Sequence, residues 1–203
     1  MISRRERKKL NTRAALLRGA MDLFAERGIL GTRVVDITER ADLGKGAFYN
    51  YFRSKNALVA ALIREGLEVL DEHYLEHRVN GVPTLETRVE QIVSVHEAFF
   101  RDHPRYMLLF HQAPGLLQTT AKDVDELRAA FAEYLRRLGR VMPPPAERQS
   151  WRDEDLLDLA ACVAGGIVGY WSMRLAAGLA GEGGTAREAL ARGVPAVMES
   201  CRQ

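Results

Sequence analysis

The chain has 203 residues, of which 47% are hydrophobic and 28% charged, so it can form a packed core and is not disordered by composition. Its two cysteines, Cys162 and Cys201, match neither a disulfide scaffold nor a zinc ribbon, and they indicate a reducing, cytoplasmic setting. The apolar stretch 159–173 is shorter than the ~20 residues of a membrane-spanning helix. No apolar run of the kind found in signal peptides follows the basic N-terminus. A soluble protein without a membrane partner is therefore expected.

The net charge of +2 is unevenly distributed along the chain. Residues 1–55 hold 13 of the 29 Lys and Arg but only 6 of the 27 Asp and Glu, so the remainder of the chain is net acidic. A basic segment on an acidic body is typical of a nucleic-acid contact confined to one end. A solvated basic tail would explain residues 1–9 alone, but Lys45, Arg53 and Lys55 lie beyond it.

Apolar spacing predicts four helices in the first 80 residues. The first carries Leu10 to Phe24 and ends at Gly28, a residue type common just past helix C-termini. Thr32 is the expected N-cap of a short second helix that runs through Ala41, with an acidic residue favourably placed near its N-terminus. A turn at 42–44 leads to a third helix over 45–52, and Ser54 is expected to cap the fourth.

Further helices are predicted along the rest of the chain, giving about nine in total and an all-α fold class. The pattern indicates a helix over 85–103, a short one over 106–112 that stops at Pro114, one that carries Val124 to Leu138, and one over 156–177. The last opens at Thr185 with a capping-box spacing. No stretch shows convincing period-two alternation, so no strand is expected.

The second and third helices, joined by a tight glycine-containing turn, form a predicted helix-turn-helix, whose second helix can enter the DNA major groove. Phe48 and Phe52 share one face and are expected to anchor it, whereas a purely packing role for the region is the alternative. Lysine, asparagine and alanine can read base edges, and tyrosine suits phosphate oxygens. The residues turned away from the anchoring face are Lys45, Gly46, Ala47, Tyr49, Asn50 and Tyr51.

A set of residues between positions 10 and 60 forms a recognisable pattern of residue types and spacings: Thr12-Arg13, Leu17, Ala20, Leu23-Phe24-Ala25-Glu26, Gly28, Thr32, Asp36-Ile37, Ala41, Lys45-Gly46, Phe48-Tyr49-Asn50-Tyr51-Phe52, Ser54-Lys55 and Ala57-Leu58. Together these positions resemble the DNA-binding signature of TetR-family transcriptional regulators. The resemblance implies a homodimer with a helix-turn-helix domain over 1–55 and a helical ligand-binding and dimerisation domain over 56–203.

Carried over position by position, the resemblance assigns groove and backbone contacts to Lys45, Gly46, Ala47, Tyr49 and Tyr51. It assigns phosphate contacts to Thr32 or Arg33 and to Lys55. Gly44 stands where the family often has serine, which weakens that helix cap, and Val35 replaces a residue that is polar in some members. The basic segment before Leu10 is expected to add minor-groove or phosphate contacts.

The run His73-x-x-Glu76-His77 spells the inverted zinc-protease motif. A metal-dependent hydrolase, a regulatory metal site and a solvated helix end are the three interpretations, and the absence of a predicted sheet favours the last. No other spacing nominates a nucleophile and base, so no enzyme activity and no cofactor are predicted.

Aromatic residues and histidines gather in the second half of the chain, where they form either a filled core or the wall of a cavity. Aromatic residues at helical spacing form a core by default, but the short, interrupted segment 104–112 leaves room for a cavity suited to a mid-sized apolar or aromatic effector, and the resemblance supports the cavity. The candidate ligand-binding residues are His96, Phe99, Phe100, Tyr106, Phe110, His111, Phe131, Tyr134, Tyr170 and Trp171.

Gly165 and Gly169 form a smooth helix face that indicates a close helix contact, and the dimer interface is expected on the last two helices, with Leu190 and Val197. The predicted function is that of a ligand-responsive DNA-binding regulator that recognises a two-fold symmetric operator. Repression is favoured because dimer occupancy alone can block a promoter. A DNA-binding protein controlled by a partner or a metal is the alternative.

Overall fold

The structure, a computed structural model, describes residues 3–76, 84–119, 123–142 and 151–179. Within these ranges it contains eight α-helices and no strand, which confirms the all-α prediction. The predicted ninth helix from Thr185, with Leu190 and Val197, lies outside the described residues. The helices are α1 (Arg4–Arg27), α2 (Val34–Arg40), α3 (Lys45–Tyr49), α4 (Lys55–Glu76), α5 (Leu85–Asp102), α6 (Pro104–Thr119), α7 (Asp125–Val141) and α8 (Asp153–Ala176).

The chain divides into two compact units, each built from two segments. Unit 1 comprises residues 1–66 with 105–131, and unit 2 comprises residues 67–104 with 132–203. These packing units divide the chain differently from the functional division predicted at 55/56, which stays a prediction.

In unit 1, α1 begins earlier than its first apolar residue indicates. The Ser3 hydroxyl accepts a hydrogen bond from the Glu6 backbone N–H at 3.2 Å, and the Glu6 carboxylate accepts one from the Ser3 N–H at 2.8 Å. This capping box holds the basic segment before Leu10 in helical form. The helix ends, as predicted, at Gly28, whose φ of 78° is readily adopted by glycine.

The start of α2 differs from the prediction. Arg33, and not Thr32, is the N-cap, because the Thr32 hydroxyl donates to the carbonyl oxygen of Gly28 at 2.8 Å and so holds the preceding loop. The predicted cap of α4 is confirmed, since the Ser54 hydroxyl accepts from the Ala57 N–H at 3.2 Å. In addition, α3 ends at Tyr49, three residues before the predicted end.

The prediction that the helix after Pro104 stops at Pro114 is wrong, because α6 continues through that proline to Thr119. Proline removes the N–H that would bond to the preceding turn and so weakens the helix locally. Apolar side chains are nevertheless buried on both sides of it, and their packing holds the helix together. These are Leu109, Phe110, Ala113 and Leu116.

The core of unit 2 brings α5 together with α7 and α8. Gly139 of α7 allows a close approach, because a Cβ at this position would lie 3.3 Å from the backbone oxygen of Leu156 on α8. The buried residues that fill this core include Ile92, Val93, His96, Phe99, Phe100, Tyr134, Leu138, Ala160, Ala164 and Ile167.

The helix α8 combines an apolar composition with a largely exposed surface. Among the described helices it alone has the length and composition to cross a membrane, with a mean hydropathy of 1.5 over 18 residues. It nevertheless opens with three acidic residues. Met173 is 69% exposed, and Cys162 and Gly165 are also exposed, so this helix presents apolar surface that could take part in a further contact.

Candidate nucleic-acid interface and candidate effector site

The helix α3 and the two residues that follow it present the six predicted DNA-reading residues at the surface of unit 1. Phe48 on its inner side is fully buried and packs against Phe52 with the ring centroids 5.7 Å apart, whereas the adjacent Tyr49 is 55% exposed. Lys45, Gly46 and Asn50 are exposed as well, and Ala47 and Tyr51 are partly exposed. The helix therefore buries one aromatic residue and exposes its polar residues, as the recognition helix of a helix-turn-helix requires.

Two glycines mark the N-terminal end of α3. Gly44 is the N-cap and provides no side-chain hydrogen bond, in agreement with the weaker cap indicated by the sequence. A Cβ at Gly46 would meet no atom within 4 Å, so packing within the chain does not explain this glycine. Its missing side chain leaves the backbone open to close approach by another molecule.

Arg33 is exposed at the start of α2 but already has a partner. Its backbone N–H and its guanidinium donate to the Asp36 carboxylate at 2.8 and 2.9 Å, and Arg27 approaches the same carboxylate at 3.1 Å. The hydrogen bonds from Arg33 lower the pKa of the Asp36 carboxyl to about 2, so this side chain is ionised at neutral pH. A phosphate group would share Arg33 with Asp36.

Thr32 and Lys55 lie at predicted phosphate-contact positions, but their side chains point inward. Thr32 is 1% exposed. The Lys55 ammonium donates to the carbonyl oxygens of Ile29 and Thr32 at 2.6 and 2.8 Å, and its partial burial lowers its pKa. Both residues thus hold the 28–32 loop in this structure, and neither presents a free side chain for a phosphate. Their predicted contacts stay predictions without geometric support.

A basic cleft lies between the start of α1 and the end of α3. Its volume is about 590 Å³. The sequence alone predicts this part of the chain only as a basic segment that contacts DNA. In the structure it forms the start of α1, stabilised by the Ser3–Glu6 capping box. The residues that line the cleft are Arg5, Glu6, Lys8, Lys9, Thr12, Asn50 and Tyr51.

The ten predicted ligand-binding residues divide between the two units. Unit 1 contains Tyr106, Phe110, His111 and Phe131, and unit 2 contains His96, Phe99, Phe100, Tyr134, Tyr170 and Trp171. The unit 1 members are mostly packing residues: a Cβ at Gly66 would lie 2.8 Å from the Tyr106 ring, and Phe110 packs on Phe131 with the centroids 6.4 Å apart. His111 is exposed.

In unit 2, His96 and Tyr134 form a buried hydrogen-bonded pair. His96 Nδ1 lies 2.7 Å from the Ile92 carbonyl oxygen, and Nε2 lies 2.8 Å from the Tyr134 hydroxyl. A carbonyl oxygen can only accept, so Nδ1 carries the proton and Nε2 accepts from Tyr134. Burial lowers the pKa of His96 to about 4, which keeps the ring neutral at pH 7.

The sequence patterns did not identify Gln112 or Tyr74. The Gln112 side-chain oxygen accepts a hydrogen bond from the Ile29 N–H at 2.8 Å, a contact between residues 83 positions apart. The Tyr74 hydroxyl is buried and has no hydrogen-bond partner among the described residues. No periodicity signals either role, because each depends on a neighbour that is distant in sequence.

The structure does not assemble the residues of the inverted zinc-protease motif into a metal site within the described ranges. His73 is buried, with its ring centroid 5.9 Å from that of Phe99 and 5.7 Å from that of His103. Glu76 is exposed at the end of α4, and His77 lies outside the described residues. No group of three or more His, Cys, Asp or Glu side chains in the described ranges could hold a metal ion.

Two of the four predicted dimer residues can be placed. The Cβ positions of Gly165 and Gly169 on α8 meet no atom within 4 Å, so contacts inside the chain do not require these glycines. Leu190 and Val197 lie outside the described residues.

Comparison with known proteins agrees with the geometry of α1–α3. Residues 16–62 match the family described as bacterial regulatory proteins, tetR family. The HTH-type transcriptional repressor KstR2 of Rhodococcus jostii is 34% identical over 126 residues, which cover 62% of this chain and 62% of that protein. The matched part thus spans less than two thirds of this relative.

Solved structures share the fold over nearly the whole chain. A TetR-family regulator from Rhodococcus sp. has a TM-score of 0.66 at 20% identity, covering 93% of this chain and 98% of its own. The regulator FadR of Bacillus subtilis, solved in complex with stearoyl-CoA, has a TM-score of 0.63 at 17% identity, covering 89% of this chain and 94% of its own. Residues 16–62 thus carry the helix-turn-helix signature of the tetR family, and the chain as a whole has the same fold as these solved structures.

Proposed function

We propose that this protein is a ligand-responsive DNA-binding transcriptional repressor. The observation that carries the proposal is the arrangement of α3, where a fully buried Phe48 anchors a short helix that exposes Lys45, Tyr49 and Asn50. Lysine and asparagine carry the hydrogen-bonding groups that read purine edges, and tyrosine suits the phosphate backbone. The basic cleft between α1 and α3 supplies cationic groups for a neighbouring phosphate.

The protein acts on DNA as a homodimer in this proposal. Dimeric helix-turn-helix proteins place two recognition helices in successive major grooves about 34–36 Å apart, so their operators are two-fold symmetric. The exposed face of α8 around Gly165 and Gly169, which has an apolar composition, suits a close contact with a second copy. The protein is proposed to act in the cytoplasm, where its DNA is.

A small, largely apolar effector would control DNA binding. The FadR neighbour was solved with stearoyl-CoA, which supports effector binding by this fold but does not identify the effector here. The helix α4 begins beside the 28–32 loop, where Lys55 is bonded, and continues without a break into unit 2. Some effectors bind more tightly to the state in which the two recognition helices are too far apart for successive major grooves, and such an effector would release the operator. An effector with equal affinity for both states would not change their populations.

The test is DNA binding by the purified protein to its own upstream region across a salt series. We expect footprinted, salt-sensitive binding to a two-fold symmetric site. A Lys45→Ala/Tyr49→Ala variant removes two exposed side chains and should lose specific binding while unfolding at the same temperature as wild type. Arg101→Ala, which removes an exposed cation of unit 2, is the charge-matched control and should bind like wild type. Absence of even non-specific binding at low salt would contradict the proposal.

A further inference from the structure

Unit 2 contains a small cleft between α4 and α7, and Tyr134 is the one predicted ligand-binding residue in its lining. Its volume is about 70 Å³. By the ~30 Å³ that a water molecule occupies in the liquid, this is room for about two water-sized groups, and so for one end of a ligand. The residues that line it are Leu67, Leu70, Asp71, Tyr74, Tyr134, Arg137, Leu138 and Val141.

The two tyrosines of this cleft differ in their hydrogen bonding. The Tyr134 hydroxyl donates to His96 Nε2 at 2.8 Å. The Tyr74 hydroxyl is buried and makes no hydrogen bond within the described ranges. Burial raises the pKa of Tyr74 well above its ordinary value, so this hydroxyl keeps its proton and remains a donor. A buried donor without an acceptor costs free energy, and a ligand that supplies an acceptor would recover it.

The charged residues of the cleft disfavour an anionic ligand. Arg137 is bonded to both Asp71 and Glu133, so carboxylates already balance its charge. Arg137 is therefore not an unpaired cation for a carboxylate or a phosphate. The rest of the lining is mainly aliphatic, from Leu67, Leu70, Leu138 and Val141. Water is a poor occupant of such a space, because it needs two to four polar partners.

We propose that this cleft binds a neutral, largely apolar molecule through one hydrogen-bond acceptor, such as a carbonyl oxygen, to which the Tyr74 hydroxyl donates. The assignment of this cleft as an effector site rests on the proposed function, but ligand binding to the cleft can be measured without DNA. The part of the ligand that carries the acceptor occupies the cleft, and the remainder extends beyond it. Tyr74 is then the residue that selects for the acceptor.

The experiment uses methyl-labelled protein, because Leu67, Leu138 and Val141 report occupancy of the cleft by NMR. The probes are 2-hexanone, 2-methyl-1-hexene, which replaces the carbonyl oxygen by a CH2 group of similar shape, and sodium hexanoate. Wild type should bind 2-hexanone saturably and more tightly than hexanoate. Tyr74→Phe should weaken 2-hexanone binding about fivefold, the effect of losing one hydrogen bond, and should not weaken binding of the alkene.

The variant should fold, because it removes only a hydroxyl that has no partner among the described residues. Leu75→Ala, which shortens an exposed side chain next to Tyr74 on α4, is the control and should bind all three probes as wild type does. An unchanged ratio of 2-hexanone to alkene affinity in Tyr74→Phe, tighter binding of hexanoate than of 2-hexanone, or no saturable binding of 2-hexanone would each overturn the proposal.

Operator binding by the same samples separates the two proposals. Tyr74-dependent binding of 2-hexanone by a protein that binds no DNA would support the cleft and contradict the regulator. Operator binding with no effect of Tyr74→Phe on the probes would overturn the cleft and leave the regulator standing.

Discussion

The recognition helix α3 of unit 1 exposes some of its aromatic side chains, whereas the core of unit 2 buries its aromatic side chains. In α3, Phe48 is fully buried while its neighbour Tyr49 is 55% exposed, so packing and function are divided between adjacent residues. In unit 2, His96 and Tyr134 are both buried and satisfy each other. A surface site is formed by the residues that packing leaves exposed, whereas a buried polar site needs a core residue whose polar group lacks a partner. In unit 2, Tyr74 is such a residue.

The division of roles within α3 predicts the largest effects. Phe48→Ala should lower the free energy of unfolding by about 3–5 kcal/mol, because it leaves a cavity under the helix, and should abolish DNA binding by unfolding the domain. Tyr49→Ala should change the free energy of unfolding by less than about 0.5 kcal/mol and should still weaken DNA binding. Urea denaturation followed by circular dichroism, with operator binding on the same samples, checks both. Equal losses of stability in the two variants would contradict the division.

The pair His96 and Tyr134 predicts a pH dependence of stability. The folded-state pKa of His96 is about 4, below the 6.5 of the unfolded chain, so the unfolded state binds the proton first as the pH falls. Stability is therefore unaffected at pH 7 and is lost between pH 6.5 and 4. The loss at pH 4.5 should be about 2 kcal/mol. Urea denaturation at pH 7, 5.5 and 4.5 measures it.

The control is His96→Leu/Tyr134→Phe, which replaces both members of the pair by apolar residues. Carboxyl groups elsewhere titrate in both proteins, so the difference between wild type and the double variant isolates His96. Parallel pH profiles of the two proteins would show that His96 is not held neutral by its burial.

Helical periodicity predicted much of unit 1, because its signals are local. Gly28 ends α1, Ser54 caps α4 and Phe48 anchors α3, and each follows from spacing or residue type within a few positions. Local signals do not report tertiary partners. The family resemblance assigns Lys55 to a phosphate, and only the structure shows that its ammonium is bonded to carbonyl oxygens 23 and 26 residues earlier in the chain.

Unit 2 could be predicted only as a helical core. Aromatic spacing identified His96 and Tyr134 as candidates but could not show that they bond to each other across 38 residues. It could not identify Tyr74 either, because the local sequence pattern does not show whether a side chain has a tertiary hydrogen-bond partner. The stop predicted at Pro114 failed because burial of the flanking apolar residues outweighs one lost backbone hydrogen bond.

Substituting the two tyrosines of the α4–α7 cleft should have an intermediate effect on stability and should distinguish a hydrogen-bonded hydroxyl from one without a described partner. Tyr134→Phe leaves His96 Nε2 buried without its donor and should cost about 1–2 kcal/mol of unfolding free energy. Tyr74→Phe removes a hydroxyl with no partner among the described residues, so stability should stay the same or rise. The same chemical change is thus expected to destabilise the protein at Tyr134 and not at Tyr74. Thermal unfolding of both variants decides this, and equal destabilisation would show that Tyr74 is hydrogen-bonded in solution.

The smallest expected effect concerns Lys55, at which the DNA-contact interpretation and the structural interpretation differ. If its ammonium holds the 28–32 loop, as its bonds to Ile29 and Thr32 indicate, Lys55→Met should lower the unfolding free energy by about 1 kcal/mol. The slope of log affinity against log salt concentration should then stay unchanged. A phosphate contact predicts the reverse: unchanged stability and a slope shallower by about 0.9. Lys45→Met on exposed α3 is the matched control, because there the salt slope should fall while stability stays constant. Together the two lysines test whether packing within the chain, and not position in the family signature alone, decides which cations of unit 1 are available to DNA.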